Sequence, residues 1–400
     1  LILVTMSGMS KSATSGSKNM RASVLSDVSH LEVRQVARPD PGAYDVLVRV
    51  AAVGLCGTDF HIYSGHANYN TGQSGAPIPL NHHPQILGHE IAGTIEEVGC
   101  EIRDLRAGDR VVIDQGLNCH SARREEPCEY CTSGDSHQCE FYREHGITGL
   151  PGGLADYISV PAVNAIKIDS EISIAGAAVT EPLGCIVHSS DMVARARTRY
   201  AMDSTDVSCR TGAVLIFGAG PAGLLFTQYL RNVIGFDGLL LVVEPNAKKR
   251  EFASNFGAEG IDSLTVDPVE TVLDLTHGRG VEYAIEASGS GKAVEMIPRV
   301  IRNQATVLLY GHGHAGVDMS VINSLLFREP ALVVSVGASG GFNEDDRPLT
   351  YVRALDLIEQ GRINVERFIT HRYKSLDAMP AAFEVDHQAP DYVKGVVVLV

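Results

Sequence analysis

Three separate stretches of the sequence, Cys56-Gly-Thr58-Asp-Phe-His61, Gly88-His89-Glu90 and Glu181-Pro-Leu-Gly, offer a thiol, an imidazole and a carboxylate. A thiolate, an imidazole and a carboxylate can hold a tetrahedral zinc ion with one position left open, and an open position is what catalysis requires. Such an ion acts as a Lewis acid toward a bound hydroxyl group. Each residue alone has a plainer use. A Cys after a strand packs in a core, a Gly-His pair makes a turn, and a Glu before Pro caps a helix. Their joint occurrence, in this order and ahead of a dinucleotide-binding pattern, favours the metal.

That pattern is Gly218-Ala-Gly220-Pro221-Ala222-Gly223, which follows an apolar strand and opens an apolar helix. The first glycine permits a tight turn, the second lets a pyrophosphate approach the backbone, and the third lets helix pack on strand. The helix amino terminus adds amide donors for the phosphates. A Gly-x-Gly-x-x-Gly string is a weak signal by itself. Here Glu244 closes the next strand, 21 residues beyond Gly223, where an acid can take the ribose 2′-hydroxyl. The same charge opposes a 2′-phosphate, so NAD is favoured over NADP. Lys248, Lys249 and Arg250 lie just downstream and pull the other way, although a solvated basic helix start is the better reading of them. Gly311 and Gly313, and Val336 with Gly337, follow later strands at the end of the sheet where a nicotinamide would sit.

A third group, Cys128-x2-Cys131-x7-Cys139, has metal spacing rather than disulfide spacing. Cys100, Cys185 and Cys209 lack such partners and read as packing residues.

The elements that must position these groups fall into two textures. From Arg21 to about Ile168 the chain is β-rich and turn-punctuated, with strands expected at Asp45–Val53, Glu90–Val98 and Arg110–Ile113. Two polar stretches, Tyr63–Pro84 and Gln115–Glu126, read as loops near a functional surface. After Glu181 the rhythm becomes βαβ: strands at Val214–Phe217, Leu239–Val243, Tyr283–Glu286, Ala305–Leu309 and Ala331–Val336 alternate with helices, the first of them Ala222–Val233. This is the pattern of a doubly wound parallel sheet and an α/β fold. A helix at Leu349–Gln360 and a strand at Val393–Val400 close the chain. The expected organisation is a disordered extension over 1–20, a first domain over 21–181, a nucleotide-binding domain over 182–337, and a return to the first domain over 338–400.

Four hundred residues suit two domains, and 44% hydrophobic with 20% charged residues describes an ordinary globular chain. A net charge of −15 argues against nucleic acid or an anionic membrane surface as the partner. No apolar run approaches the roughly 20 residues of a membrane span, and Leu1–Val4 is too short for a secretory signal. A reducing cytoplasm is the expected compartment.

Together the quoted motifs resemble the zinc-containing medium-chain alcohol dehydrogenases, over nearly everything after Met20. The string Cys-Gly-Thr-Asp-x-His-Ile-Tyr and the Glu-Pro-Leu segment are most similar to the polyol (sorbitol-like) and threonine branches. The resemblance implies a GroES-like β-barrel catalytic domain joined to a Rossmann domain, with a cleft between them. It also implies Cys56, His89 and Glu181 as ligands of a catalytic zinc, Glu90 as a neighbouring acid that approaches the metal during exchange, and Thr58 with His61 as a proton relay. Family members often carry a second, structural zinc on four cysteines. Cys128, Cys131 and Cys139 match three of those places and the fourth falls on Glu125, so a site of one Glu and three Cys is the first expectation. Cys119 is the competing fourth ligand, and an empty site is the third possibility. The implied reaction is NAD-linked oxidation of a secondary alcohol. A carboxylate ligand, few aromatics with no Trp, and the polar loop Tyr63–His83 suit a polyol, sugar or cyclitol, with a threonine-like amino-acid alcohol as runner-up and a nucleotide-binding protein without catalysis as the remaining alternative. The resemblance further implies a homo-oligomer, tetramer or dimer. The segment between Cys56 and His89 is longer than the family pattern and is expected to reshape the substrate mouth or a subunit contact.

Overall fold

The computed structural model describes residues 19–314 and 316–399. The extension expected over 1–20 lies outside the described residues except for its last two, Asn19 and Met20, which open the strand Asn19–Asp27.

The β-rich half is organised around one long strand, Asp45–Leu55, whose side chains are almost all buried. One edge pairs antiparallel with Glu90–Val98. The other edge is shared, Tyr157–Pro161 taking Asp45–Arg49 and Lys394–Val398 taking Ala52–Leu55. Arg110–Ile113, Ala165–Lys167 and Ile369–Tyr373 extend this into a seven-stranded sheet. A strand covered on both faces reads as a continuous apolar run, which is why Val46–Val48 and Ala52–Leu55 do not alternate. The register does functional work. Gly54 stands opposite Glu90 and Leu55 opposite Gly395, so the residues that leave these strand ends, Cys56 and His89, are delivered to one place.

The second half is a six-stranded parallel sheet in the order Glu259–Ile261, Leu239–Val243, Ala213–Phe217, Val281–Glu286, Ile301–Leu309, Ala331–Val334. This is the doubly wound order 3-2-1-4-5-6, whose reversal beside the first strand opens a crevice at the strands' carboxyl ends. All five residues of Ala213–Phe217 are buried. The helix after it is α-helical only over Pro221–Gln228; Tyr229–Ile234 continues as a wider π-helical turn that Gly235 ends at φ 74°. The expected single helix Ala222–Val233 is thus two pieces, a change of pitch that periodicity does not reveal. Among the described residues no helix is long and apolar enough to cross a membrane.

Candidate metal and nucleotide sites

The short helix Gly57–Tyr63 starts at Cys56, whose backbone N–H donates to Asp59 Oδ2 at 2.9 Å. The same carboxylate, fully buried, accepts from Gly88 N through Oδ1 at 3.0 Å and lies 3.5 Å from His89 Nδ1. Asp59 therefore ties the two strand ends together and sets the orientation of the imidazole, as an outer carboxylate does for a metal-binding histidine. It was hidden in the sequence as a mid-motif acid.

Within this frame the ligand atoms of Cys56, His89 and Glu90 all lie within 4.8 Å of one another. Glu90 reaches them because Gly54 opposite has no side chain: a Cβ there would stand 1.9 Å from Glu90 Oε2. That oxygen is buried without a hydrogen-bond partner. Buried polar atoms are nearly always satisfied, and a sulfur, nitrogen and oxygen donor set left partly unsatisfied is chemically suited to zinc. The other Glu90 oxygen is held by Lys394, a fully buried lysine whose ammonium also donates to Leu55 O at 2.9 Å. Burial works against the charge on Lys394, but Glu90 and Cys56 outweigh it and raise its pKa. For His89 likewise, burial opposes the proton while Asp59 and Cys56 reverse the balance upward.

The trio differs from the expected one. Glu181, in the first turn of the helix Thr180–Arg195, stands beside the group rather than in it. Its Oε1 accepts from Gln115 Nε2 at 3.2 Å and from the Cys185 thiol at 3.3 Å, which draws it aside. Burial pushes its pKa up to about 7, with His89 opposing and Glu90 reinforcing. Gln115 is in turn held by the Tyr351 hydroxyl. Neither Gln115, Cys185 nor Lys394 was marked by the sequence motifs. Thr58 Oγ1 lies 3.7 Å from Cys56 Sγ, and His61, three residues later on the same helix face, points into the space between the domains.

The second cluster corrects an expectation. The four sulfurs of Cys119, Cys128, Cys131 and Cys139 lie within 4.8 Å of one another, while Glu125 is exposed and outside the group. Asn118 accepts from His120 N and Ser121 N, turning the chain back directly after Cys119. The intervening loop then returns to Cys128, so spacing along the chain misidentified the fourth partner. Backbone N–H groups of Cys128 and Phe141 donate to the Cys119 and Cys139 sulfurs at 3.4 Å. Backbone amides from Cys131 and Glu140 draw the Cys128 thiol down to about 6. Amide donors aimed at sulfur stabilise thiolates, the form that binds zinc.

At the Gly-rich turn, Gly218 has φ 96°, and a Cβ at Gly223 would meet Gly218 O at 2.0 Å, so helix and turn are in contact there. A Cβ at Gly220 would meet nothing within 4 Å, leaving open space over the turn. Pro221 begins the helix with its φ already set, and Ala222 follows it in the first turn. Glu244 is buried, accepting from Ala219 N at 2.8 Å and Asn246 N at 2.9 Å, so its carboxylate is held at the rim of that space. Arg250 turns away, its guanidinium spent on Glu244 O, Pro245 O and Asp262. Gly311 N donates to Glu286 O, and Gly313 faces the His61 ring. Val336 is 65% exposed, and Gly337, at φ 64°, leaves room for the His137 ring, which a Cβ would meet at 2.3 Å. The contrast between two glycines is testable. Gly223→Val should lower both thermal stability, by about 1–3 kcal/mol from overpacking, and NAD affinity. Gly220→Ala should weaken NAD binding with an unchanged melting temperature. Melting curves with NADH fluorescence titrations read both, and an unaltered Gly223→Val protein would contradict the packing.

A barrel-like β domain carrying sulfur, nitrogen and oxygen ligands, facing a doubly wound nucleotide-binding sheet, defines a metal-dependent dehydrogenase. Comparison with known proteins makes the class specific. Residues 42–170 match the alcohol dehydrogenase GroES-like domain and residues 221–359 the zinc-binding dehydrogenase domain. L-threonine 3-dehydrogenase of Thermococcus kodakarensis is 32% identical over 356 residues, covering 88% of this chain and 91% of its own. L-idonate 5-dehydrogenase of Vitis vinifera is 28% identical, covering 95% and 94%, and sorbitol dehydrogenase of Bombyx mori 28%, covering 88% and 91%. A Sinorhizobium meliloti structure described as a zinc-binding dehydrogenase bound to NADP superimposes with a TM-score of 0.77 at 29% identity, covering 95% of this chain and 99% of that one. The chain belongs to the zinc-dependent medium-chain alcohol dehydrogenase family and is an oxidoreductase of that type.

Proposed function

We propose that the protein oxidises a secondary hydroxyl of a polyol, sugar or cyclitol to a ketone, with NAD as acceptor. The observation that carries this reading is the convergence of Cys56, His89 and Glu90, with Glu181 alongside, at the cleft facing the carboxyl ends of the parallel strands. Cys56, His89 and Glu181 would hold zinc, a Lewis acid that makes a substrate hydroxyl acidic, while NAD would accept the hydride. Glu181 suits this role because a buried carboxyl raised to about 7 gains most from a cation beside it. Glu90, gripped by Lys394, is the carboxylate that exchanges at the same place. Glu244 disfavours a 2′-phosphate by charge, which supports NAD over NADP. NAD-dependent oxidation of polyols by the intact protein, lost on zinc chelation and restored by zinc, is the test. Failure to turn over any secondary alcohol with zinc bound would leave a nucleotide-binding protein without catalysis. Threonine is the second reading, favoured by the Thermococcus relative's name.

Thr58 and His61 carry the proton from the substrate hydroxyl to solvent. A hydroxyl can accept and donate at once, and an imidazole titrates near neutrality. Burial, with His312 and His66 adding to it, lowers the His61 pKa. Only neutral imidazole accepts a proton, so alcohol oxidation should hold at high pH and fall only as pH drops below the ordinary imidazole value near 6.5. His61→Gln should remove that acidic limb and slow turnover by about 10²-fold; a pH–rate profile with the limb intact in the variant would exclude His61.

We also propose a homo-oligomer. Ala331–Val334 is the edge of the parallel sheet, and Leu332, Val334 and Val336 are 52%, 66% and 65% exposed along it. An exposed apolar edge strand is completed by a second copy. Light scattering that reads a monomer at micromolar concentration would overturn this.

A further inference from the structure

Beside the metal-binding groups, one of the hydrogen bonds between the two halves of the molecule joins two loops. Tyr69 Oη lies 2.7 Å from His312 Nε2, although the residues are 243 positions apart. Tyr69 belongs to the long polar segment between Cys56 and His89, and His312 to the loop that follows the strand Ile301–Leu309. His312 has a defined position because its loop is pinned on either side: Gly311 N donates to Glu286 O at 2.8 Å, and His314 Nε2 lies 2.6 Å from Glu286 Oε2.

The bond sits over the reacting groups. The His312 and His61 rings are 6.2 Å apart, His61 is one helical turn beyond Thr58, and Thr58 meets Cys56. Tyr69 is half-buried there, and burial followed by the charge of Cys56 raises its phenol pKa.

We propose that Tyr69 and His312 determine specificity, exchanging their mutual hydrogen bond for bonds to a second hydroxyl of a polyol, remote from the carbon being oxidised. A phenol and an imidazole can each donate or accept, as a hydroxyl can, so a hydroxyl inserts between them with every donor matched. A carboxylate only accepts and would want a cation. The groups in ring contact around the pair are His61 and His66, with no lysine or arginine among them. This selects a neutral polyol over an amino acid or a sugar acid. It rests on the proposed alcohol oxidation but is separable from it.

The test compares xylitol and sorbitol with 2-butanol, which reacts at the same carbon type but has no second hydroxyl. Tyr69→Phe and His312→Leu should each raise the polyol KM about tenfold, as for a lost neutral hydrogen bond, with kcat and the 2-butanol kcat/KM unchanged. His312→Gln, which keeps a donor and an acceptor, should restore most of the polyol preference. Equal losses on both alcohols, or no change on either, would reduce the pair to an interdomain tie and overturn the proposal. Oxidation of 2-butanol without any polyol by the unsubstituted protein would overturn it while leaving the alcohol dehydrogenase reading intact. Turnover of no alcohol would overturn both.

Discussion

Cys56→Ser should nearly abolish alcohol oxidation, lowering kcat/KM by about 10⁴-fold, while NADH binding stays within about twofold. The expectation follows from where the residue sits. Cys56 leaves the strand Asp45–Leu55 opposite the start of Glu90–Val98 and shares its 4.8 Å neighbourhood with His89 and Glu90. Serine keeps the size and the backbone bond to Asp59 but replaces a soft thiolate with a hydroxyl that stays protonated at neutral pH. Loss of a Lewis acid removes several kcal/mol of charge stabilisation, and about 5 kcal/mol corresponds to that factor in rate. The dinucleotide turn at Gly218–Gly223 is built from other strands and is untouched. Metal analysis should find one zinc fewer per chain. Full zinc content, or turnover above a tenth of the original, would sink the ligand assignment.

Cys119→Ser should remove a different zinc and chiefly reduce stability. Four sulfurs lie within 4.8 Å of one another, three of them buried, and among the described residues only Tyr142 packs on them as a further hydrophobic group, so a shared cation would supply much of the cohesion there. Structural zinc sites supply folding free energy directly. With the cluster confined to one lobe, a loss of about 3–5 kcal/mol is expected, which lowers the melting temperature by roughly 10 °C. Glu125→Ala should change neither zinc content nor melting, because that carboxylate faces solvent. The pair of variants separates the two fourth-ligand assignments, and the reverse result would restore Glu125.

Much of the architecture is legible in the residues. The strand Glu90–Val98, the strand Leu239–Val243 and the glycine turn between strand and helix are dictated by local pattern and stand where the pattern puts them. What was not legible depends on contacts between distant segments. Cys119 joins the sulfur cluster because Asn118 turns the chain, an event that residue counting ignores. Asp59 looks like one more acid in a helix until the register shows that it links Cys56 to Gly88 and His89. Glu181 is drawn aside by Gln115 and Cys185, partners that no motif marks, and Glu90 comes forward because Gly54 lies opposite. Tyr69 and His312 gain meaning only when two loops meet across the cleft.

The strand Lys394–Val398 completes the edge of Asp45–Leu55 and delivers the only ammonium that grips Glu90 among the described residues. During synthesis the nucleotide-binding half is therefore fully translated while the barrel still lacks this strand. Contacts separated by some 340 residues, such as Leu55 with Lys394, close last and slowly. Until they do, an apolar strand edge is open to mispairing. The topology thereby places one step late: Glu90, beside Cys56 and His89, gains its buried ammonium only when the last strand of the chain closes the sheet.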